Sequence, residues 1–180
     1  MSNADPLLDR AVIEEAFRRL GERLVRRGVV ADVYVFGGAA MALAYDARRS
    51  THDIDAIFEP HGVVVDEARA VADELRLPHW WLNEQASSYV APGGDPAAPR
   101  VFDHPGLRVS AASPEHLLAM KVIAARRRDA DDVRFLVQRL GLSSPEQVFG
   151  LVGEVFPDER LPERAKAILE EIFDDRVADT

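Results

Sequence analysis

Cysteine is absent from this 180-residue chain. That removes disulfide frameworks, thiolate zinc sites and cysteine nucleophiles together. It also fits a reducing compartment. Lysine is nearly absent: of 22 basic residues only Lys121 and Lys166 are not arginine. The five histidines show no paired helical spacing of the kind that holds a metal. No apolar run approaches the ~20 residues that span a bilayer. Met1 to Arg10 has two acids and no apolar stretch, which is not the pattern of a signal peptide. A cytoplasmic protein with no membrane partner is therefore expected. Excess positive charge is lacking too. At a net charge of -9 a wholly basic nucleic-acid binder is excluded, while a local basic face is not. What remains is 47% hydrophobic and 29% charged, an ordinary globular composition. The length suits one domain with a sizeable core.

The periodicities alternate between helix and strand. Asp5-Pro6 offers a helix start, Ile13, Phe17, Leu20 and Leu24 fall at helical spacing, and Gly28 ends the pattern. The arginines on its other faces are either a solvated face or a phosphate patch. Val33 to Phe36 reads as a buried strand running into Gly37-Gly38, and Ala39 to Tyr45 as a closely packed helix. Asp53 to Phe58 alternates like a strand with one wet face. Val63 to Leu75 is helical, and Pro78 stops it. His79 to Asn83 fits neither period, and Ala91 to Pro99 is a loop. Val101-Phe102 and Leu107 to Ala111 flank a turn and read as a hairpin. Ser113-Pro114-Glu115 opens a helix that runs to Arg126-Arg127-Arg128. Further helices cover residues 129–140, 145–156 and 161–175. This order predicts an α+β fold, with a small mixed sheet flanked by helices over residues 1–112. A helical C-terminal part, 113–180, is expected to pack on that core as one compact domain.

Three features lie close together. Two glycines between a strand and a helix let backbone N–H groups approach a phosphate, although tight packing alone also uses glycine there. In Asp53-Ile54-Asp55 the i, i+2 spacing puts both carboxylates on one strand face. A divalent cation relieves their repulsion; two solvated acids on a wet face are the other reading. Arg49 and Thr51 stand just before them. Beyond this group, Trp80 and Trp81 suit either a base-stacking surface or core packing. His52, beside the acids, is read as a loop residue rather than a ligand.

Gly37-Gly38 followed by Arg49-x-Thr51-x-Asp53-Ile54-Asp55 resembles the DNA polymerase β-type nucleotidyltransferase superfamily. The resemblance is closest to a small bacterial branch related to the abortive-infection nucleotidyltransferase toxins of type IV toxin–antitoxin systems. Trp81-Leu82-Asn83, Ser113 to Lys121, and Arg128 to Val133 look like the same branch, so the similarity covers about residues 30–140. The resemblance implies a magnesium-dependent transfer of a nucleoside monophosphate from a nucleoside triphosphate (NTP) to an acceptor hydroxyl. The acceptor would be tRNA, another RNA end, a protein side chain or a small molecule, and a cognate antitoxin would be a partner. It assigns Gly37, Gly38, Arg49 and Thr51 to nucleotide binding. It assigns Asp53 and Asp55 to one or two magnesium ions, Lys121 to phosphate neutralisation, and Asp129 or Asp132 to the branch's later aspartate.

The strand expected to carry a third carboxylate reads Leu107-Arg108-Val109-Ser110, with no acid. Either a helical acid completes the site, or the fold serves as a nucleotide- or partner-binding module without turnover. Lys121 sits in an otherwise apolar stretch, where a lysine needs a partner or a path to solvent. Asp132 lies about three helical turns on and reads as the site acid. Asp129 reads as the cap of the following helix.

Overall fold

The computed structural model describes residues 6–46 and 49–178. They divide into two compact units, one formed by Met1–Ser88 with Ala98–Ala112, the other by Tyr89–Ala97 with Ser113–Thr180.

The first unit holds a five-stranded mixed sheet in the order β3-β2-β1-β5-β4. Its strands are β1 (Ala31–Val35), β2 (Ile54–Glu59), β3 (Leu82–Asn83), β4 (Arg100–His104) and β5 (Leu107–Ala111). β1 runs antiparallel to β2 and parallel to β5; β2 is parallel to β3, and β4 is antiparallel to β5. Val33, Val35, Ile54, Ala56, Phe58, Leu107, Val109 and Ala111 are buried on one face. The alternating residues Asp32, Tyr34, Asp55, Ile57, Arg108 and Ser110 are half-buried or exposed, as period two requires. Arg108 clamps Asp32 across β5 and β1 with two bonds of 2.8 and 2.6 Å.

Helix α1 (Arg10–Arg26) buries Ile13, Ala16, Phe17, Leu20 and Leu24, one apolar stripe at helical spacing. Each large side chain of that stripe contributes ~1.5–3 kcal/mol of burial. Four of its arginines, Arg10, Arg18, Arg19 and Arg23, are engaged by acids. Arg18 pairs with Glu15 and Glu22, and Arg19 with Glu15. Arg23 and Arg27 both reach the buried Glu67 of α3 (His61–Leu75), at 2.6 and 3.0 Å. Ion pairing of Arg18, Arg19, Arg23 and Arg27 fits the reading of a solvated charged face. The helix begins later than Asp5-Pro6 suggests. Asp5 lies outside the described residues, and Asp9 is the cap, accepting from the Val12 N–H at 2.9 Å. Leu8 ahead of it forms a bridge with Thr51.

After β1 the chain turns through a one-turn helix, α2 (Gly37–Ala40), and a π-helical turn over Met41–Tyr45. The glycines therefore belong to the helix start rather than precede it. The segment 79–83, unassigned by periodicity, supplies the edge strand β3. Trp81 there is fully buried against Phe17, and its indole N–H donates to the Ala68 carbonyl at 2.9 Å. It is a core residue, not a stacking surface.

The second unit consists of α4 (Pro114–Ala124), a 3-10 turn at Arg127–Asp129, α5 (Ala130–Arg139), α6 (Pro145–Val155) and α7 (Glu163–Ala178). Ser113 caps α4 as expected. The helix ends at Ala125, which is left-handed at φ 48°, so the break comes before the arginine run and not after it. The α+β plan, with a small mixed sheet and a helical C-terminal part, is the observed fold class. Among the described residues no helix is long and apolar enough to cross a membrane.

Candidate active site

The turn from β1 into α2 builds the site. Gly37 has φ +62°, a conformation glycine adopts without cost. A Cβ there would stand 3.2 Å from Asp55 Oδ2, and one on Gly38 would stand 2.9 Å from Thr51 Oγ1. The Phe36 N–H donates to the Asp55 carbonyl at 3.0 Å, which ties the turn to the start of β2. Gly37, Gly38, Thr51 and Asp55 are therefore brought together, and a Cβ on either glycine would crowd its neighbour.

Asp55 lies inside β2 and Asp53 one residue before it, in a bend. The pair is thus not wholly in the strand, as the i, i+2 reading has it, but both side chains are half-buried. Asp53 Oδ2 accepts from the Asn83 amide at 2.9 Å. Arg49 pairs with Asp46 at 3.6 Å, beside the end of the π-turn. Exposed His52 follows Thr51.

On β5, Ser110 stands beside Tyr34 of β1, and Arg108 beside Asp32. No acid occupies that strand. Among the described residues, no three acidic or histidine side chains are grouped to hold a metal ion. Asp53 and Asp55 still offer the hard oxygen donors that magnesium takes. Magnesium is commonly bound through one or two carboxylates, with water and substrate phosphates completing its shell. The residues present fit that mode and no closed protein cage.

Within the helical unit, Lys121 is buried at 6% exposure. Its ammonium contacts Asp129 Oδ1 at 3.2 Å and Asp132 Oδ2 at 2.9 Å. Asp129 occupies the cap position of α5, but its side chain makes no capping bond. Its expected role as a side-chain cap is therefore corrected: a buried ammonium is the stronger partner for a carboxylate. Both acids contact the Lys121 ammonium, so Asp129 is not set apart as a cap.

Asn83 is the contact that periodicity does not reveal. It depends on the register Asp55↔Asn83 between β2 and a two-residue strand, a tertiary fact. The only signal in the chain is the Trp81-Leu82-Asn83 motif itself.

A protein-family model described as "Nucleotidyltransferase of unknown function (DUF6036)" matches residues 13–142. No curated protein matches the chain. Among solved structures, an antigenic nucleotidyltransferase-like protein from Paracoccidioides brasiliensis is similar. It shares 17% identity, covering 96% of this chain and 92% of that one, at a TM-score of 0.47.

Proposed function

Since the chain belongs to this nucleotidyltransferase family, whose own function is unknown, we propose that it moves a nucleoside monophosphate from an NTP to an acceptor hydroxyl. The observation that carries this reading is the close approach of Gly37 to Asp55 and of Gly38 to Thr51. A turn stripped of side chains leaves the first N–H groups of a helix open to phosphate oxygens, on the edge that bears the carboxylates. Asp53 and Asp55 would hold magnesium, which when bound neutralises the triphosphate and lowers the pKa of the attacking hydroxyl. The acceptor oxygen bonds to the α-phosphorus, the α–β bridging bond breaks, pyrophosphate leaves and the hydroxyl proton is released. Thr51 and the Gly37-Gly38 backbone orient the phosphates, and Arg49, which pairs with Asp46, stands two residues before Thr51 as a further phosphate contact. Resemblance to the abortive-infection branch supports tRNA as the acceptor, a toxin role in the cytoplasm and a cognate antitoxin as partner.

The acid-free strand β5 favours a second reading, a nucleotide-binding module without turnover. Incubating the protein with each α-labelled NTP, magnesium and total tRNA separates the two. Labelled tRNA with pyrophosphate release supports transfer. Saturable nucleotide binding without product supports the module.

A further inference from the structure

We infer that Asn83 is a positioning residue, which fixes the Asp53 carboxylate so that Oδ1 is the oxygen presented to a divalent cation. This rests on the reading of Asp53 and Asp55 as the cation-holding pair. Three hydrogen bonds hold the Asn83 amide. Nδ2 donates to Asp53 Oδ2 at 2.9 Å and to the Trp80 carbonyl at 3.1 Å, while Oδ1 accepts from the Gln85 N–H at 3.0 Å. The opposite amide orientation would set Oδ1 against a carboxylate and a carbonyl, both acceptors, and the amino group against a donor. One orientation alone satisfies all three contacts.

The amide is itself held from below. The Ile54 N–H donates to the Trp81 carbonyl at 2.7 Å, and Trp81 is locked in the core by its own indole bond to Ala68. β3 is thus pinned to β2 in the register that sets Asn83 beside Asp55 and within reach of Asp53. A side chain one residue outside a strand would otherwise turn about its terminal torsion, which is broad for a carboxylate. The choice of donor matters as well. A primary amide directs the carboxylate without cancelling its charge, whereas arginine or lysine would compete with the cation. Hydrogen bonds of this kind to a ligand's second oxygen are what orient metal-binding carboxylates.

The test uses the full-length protein and manganese(II) alone, a spectroscopic substitute for magnesium that needs no knowledge of which NTP is used. Binding is read by electron paramagnetic resonance for the wild type, Asn83→Ala, Asp53→Asn and the double variant. Asn83→Ala is expected to weaken binding by ~10-fold or more. In the Asp53→Asn background it should change binding by less than about twofold, because the amide then has no ligand to direct. Wild-type affinity in Asn83→Ala, or the same loss in both backgrounds, overturns the inference and leaves the metal pair standing. Unchanged binding in Asp53→Asn overturns the metal pair and this inference together. Asn83→Leu, close in shape and without the amide, repeats the measurement should the alanine variant unfold. In the wild type, substoichiometric manganese should broaden the Asn83 side-chain amide resonances. Sharp resonances at saturation would also overturn it.

Discussion

Replacing Lys121 by Met should destabilise the helical unit far more than the same change at Lys166. Methionine keeps most of the volume of the lysine stem and removes the ammonium. Two carboxylates, with side chains 18% and 14% exposed, then stand where one 6%-exposed cation held both. Deleting one partner of a buried ion pair costs ~3–5 kcal/mol, because the other is left uncompensated. Asp129 and Asp132 keep a little solvent contact, which puts the expected loss at the lower end, ~3 kcal/mol. For a chain of this length that is a fall of ~6–12 °C in melting temperature. Lys166 is 42% exposed and pairs with Glu163 at 87%, so Lys166→Met should cost at most ~0.5 kcal/mol. Urea unfolding followed by far-ultraviolet circular dichroism is the suitable assay. It reports the helices, whereas Trp80 and Trp81 both lie in the sheet unit. Adding Asp129→Asn and Asp132→Asn to Lys121→Met should recover most of the loss, since the two carboxylates that lost the ammonium are then neutral. A Lys121→Met loss no larger than that of Lys166→Met, or no recovery in the triple variant, would refute the reasoning.

Hydrogen bonds from Arg18, and then Arg19, hold the Glu15 carboxyl at about 2, against a usual 4.5. A depressed carboxylate stabilises the fold above its usual value and loses that contribution as pH falls from there toward 2; Glu15→Gln should flatten the acid limb of stability against pH in that window, and high salt should weaken the effect. Gly37→Ala places a Cβ in a left-handed conformation close to Asp55 and should cost ~1–2 kcal/mol in thermal melting. Gly106→Ala drives a Cβ into the Gly21 carbonyl, so a loss of ~1–3 kcal/mol is expected. Gly150→Ala, inside α6 with open space around it, should instead gain ~0.5–1 kcal/mol. If the two changes shifted melting alike, steric contact would not be what constrains Gly106.

The sheet and most helices are legible because their burial is one-sided. The alternation from Ile54 to Glu59 and the stripe Ile13, Phe17, Leu20, Leu24 each repeat the period of their element. Ser113 and Ser144 mark helix starts by local chemistry that needs no tertiary partner. Other features have no local signature. β3 is two residues long, too short for any period, and exists because β2 and the buried Trp81 hold it. The first helix has two acids ahead of it, and the bridge between Leu8 and Thr51 decides that Asp9 is the cap. The need of Lys121 for a partner is visible as one cation in an apolar helix. The sharing of that cation by two acids is not, because it depends on the break at Ala125 that re-aims the chain. The glycine turn and the acidic pair are visible as residue types. Their mutual contact is a product of the β1–β2 pairing.

The central claim is that the carboxylates beside the Gly37-Gly38 turn support nucleotidyl transfer. The direct measurement compares the wild type with Asp55→Asn, each given α-labelled NTPs, magnesium and total tRNA, with melting checked in parallel. The account predicts acid-stable label on the acceptor with the wild type, and none with Asp55→Asn at an unchanged melting temperature. Equal labelling by both proteins, or no labelling by the folded wild type with any of the NTPs, would contradict it.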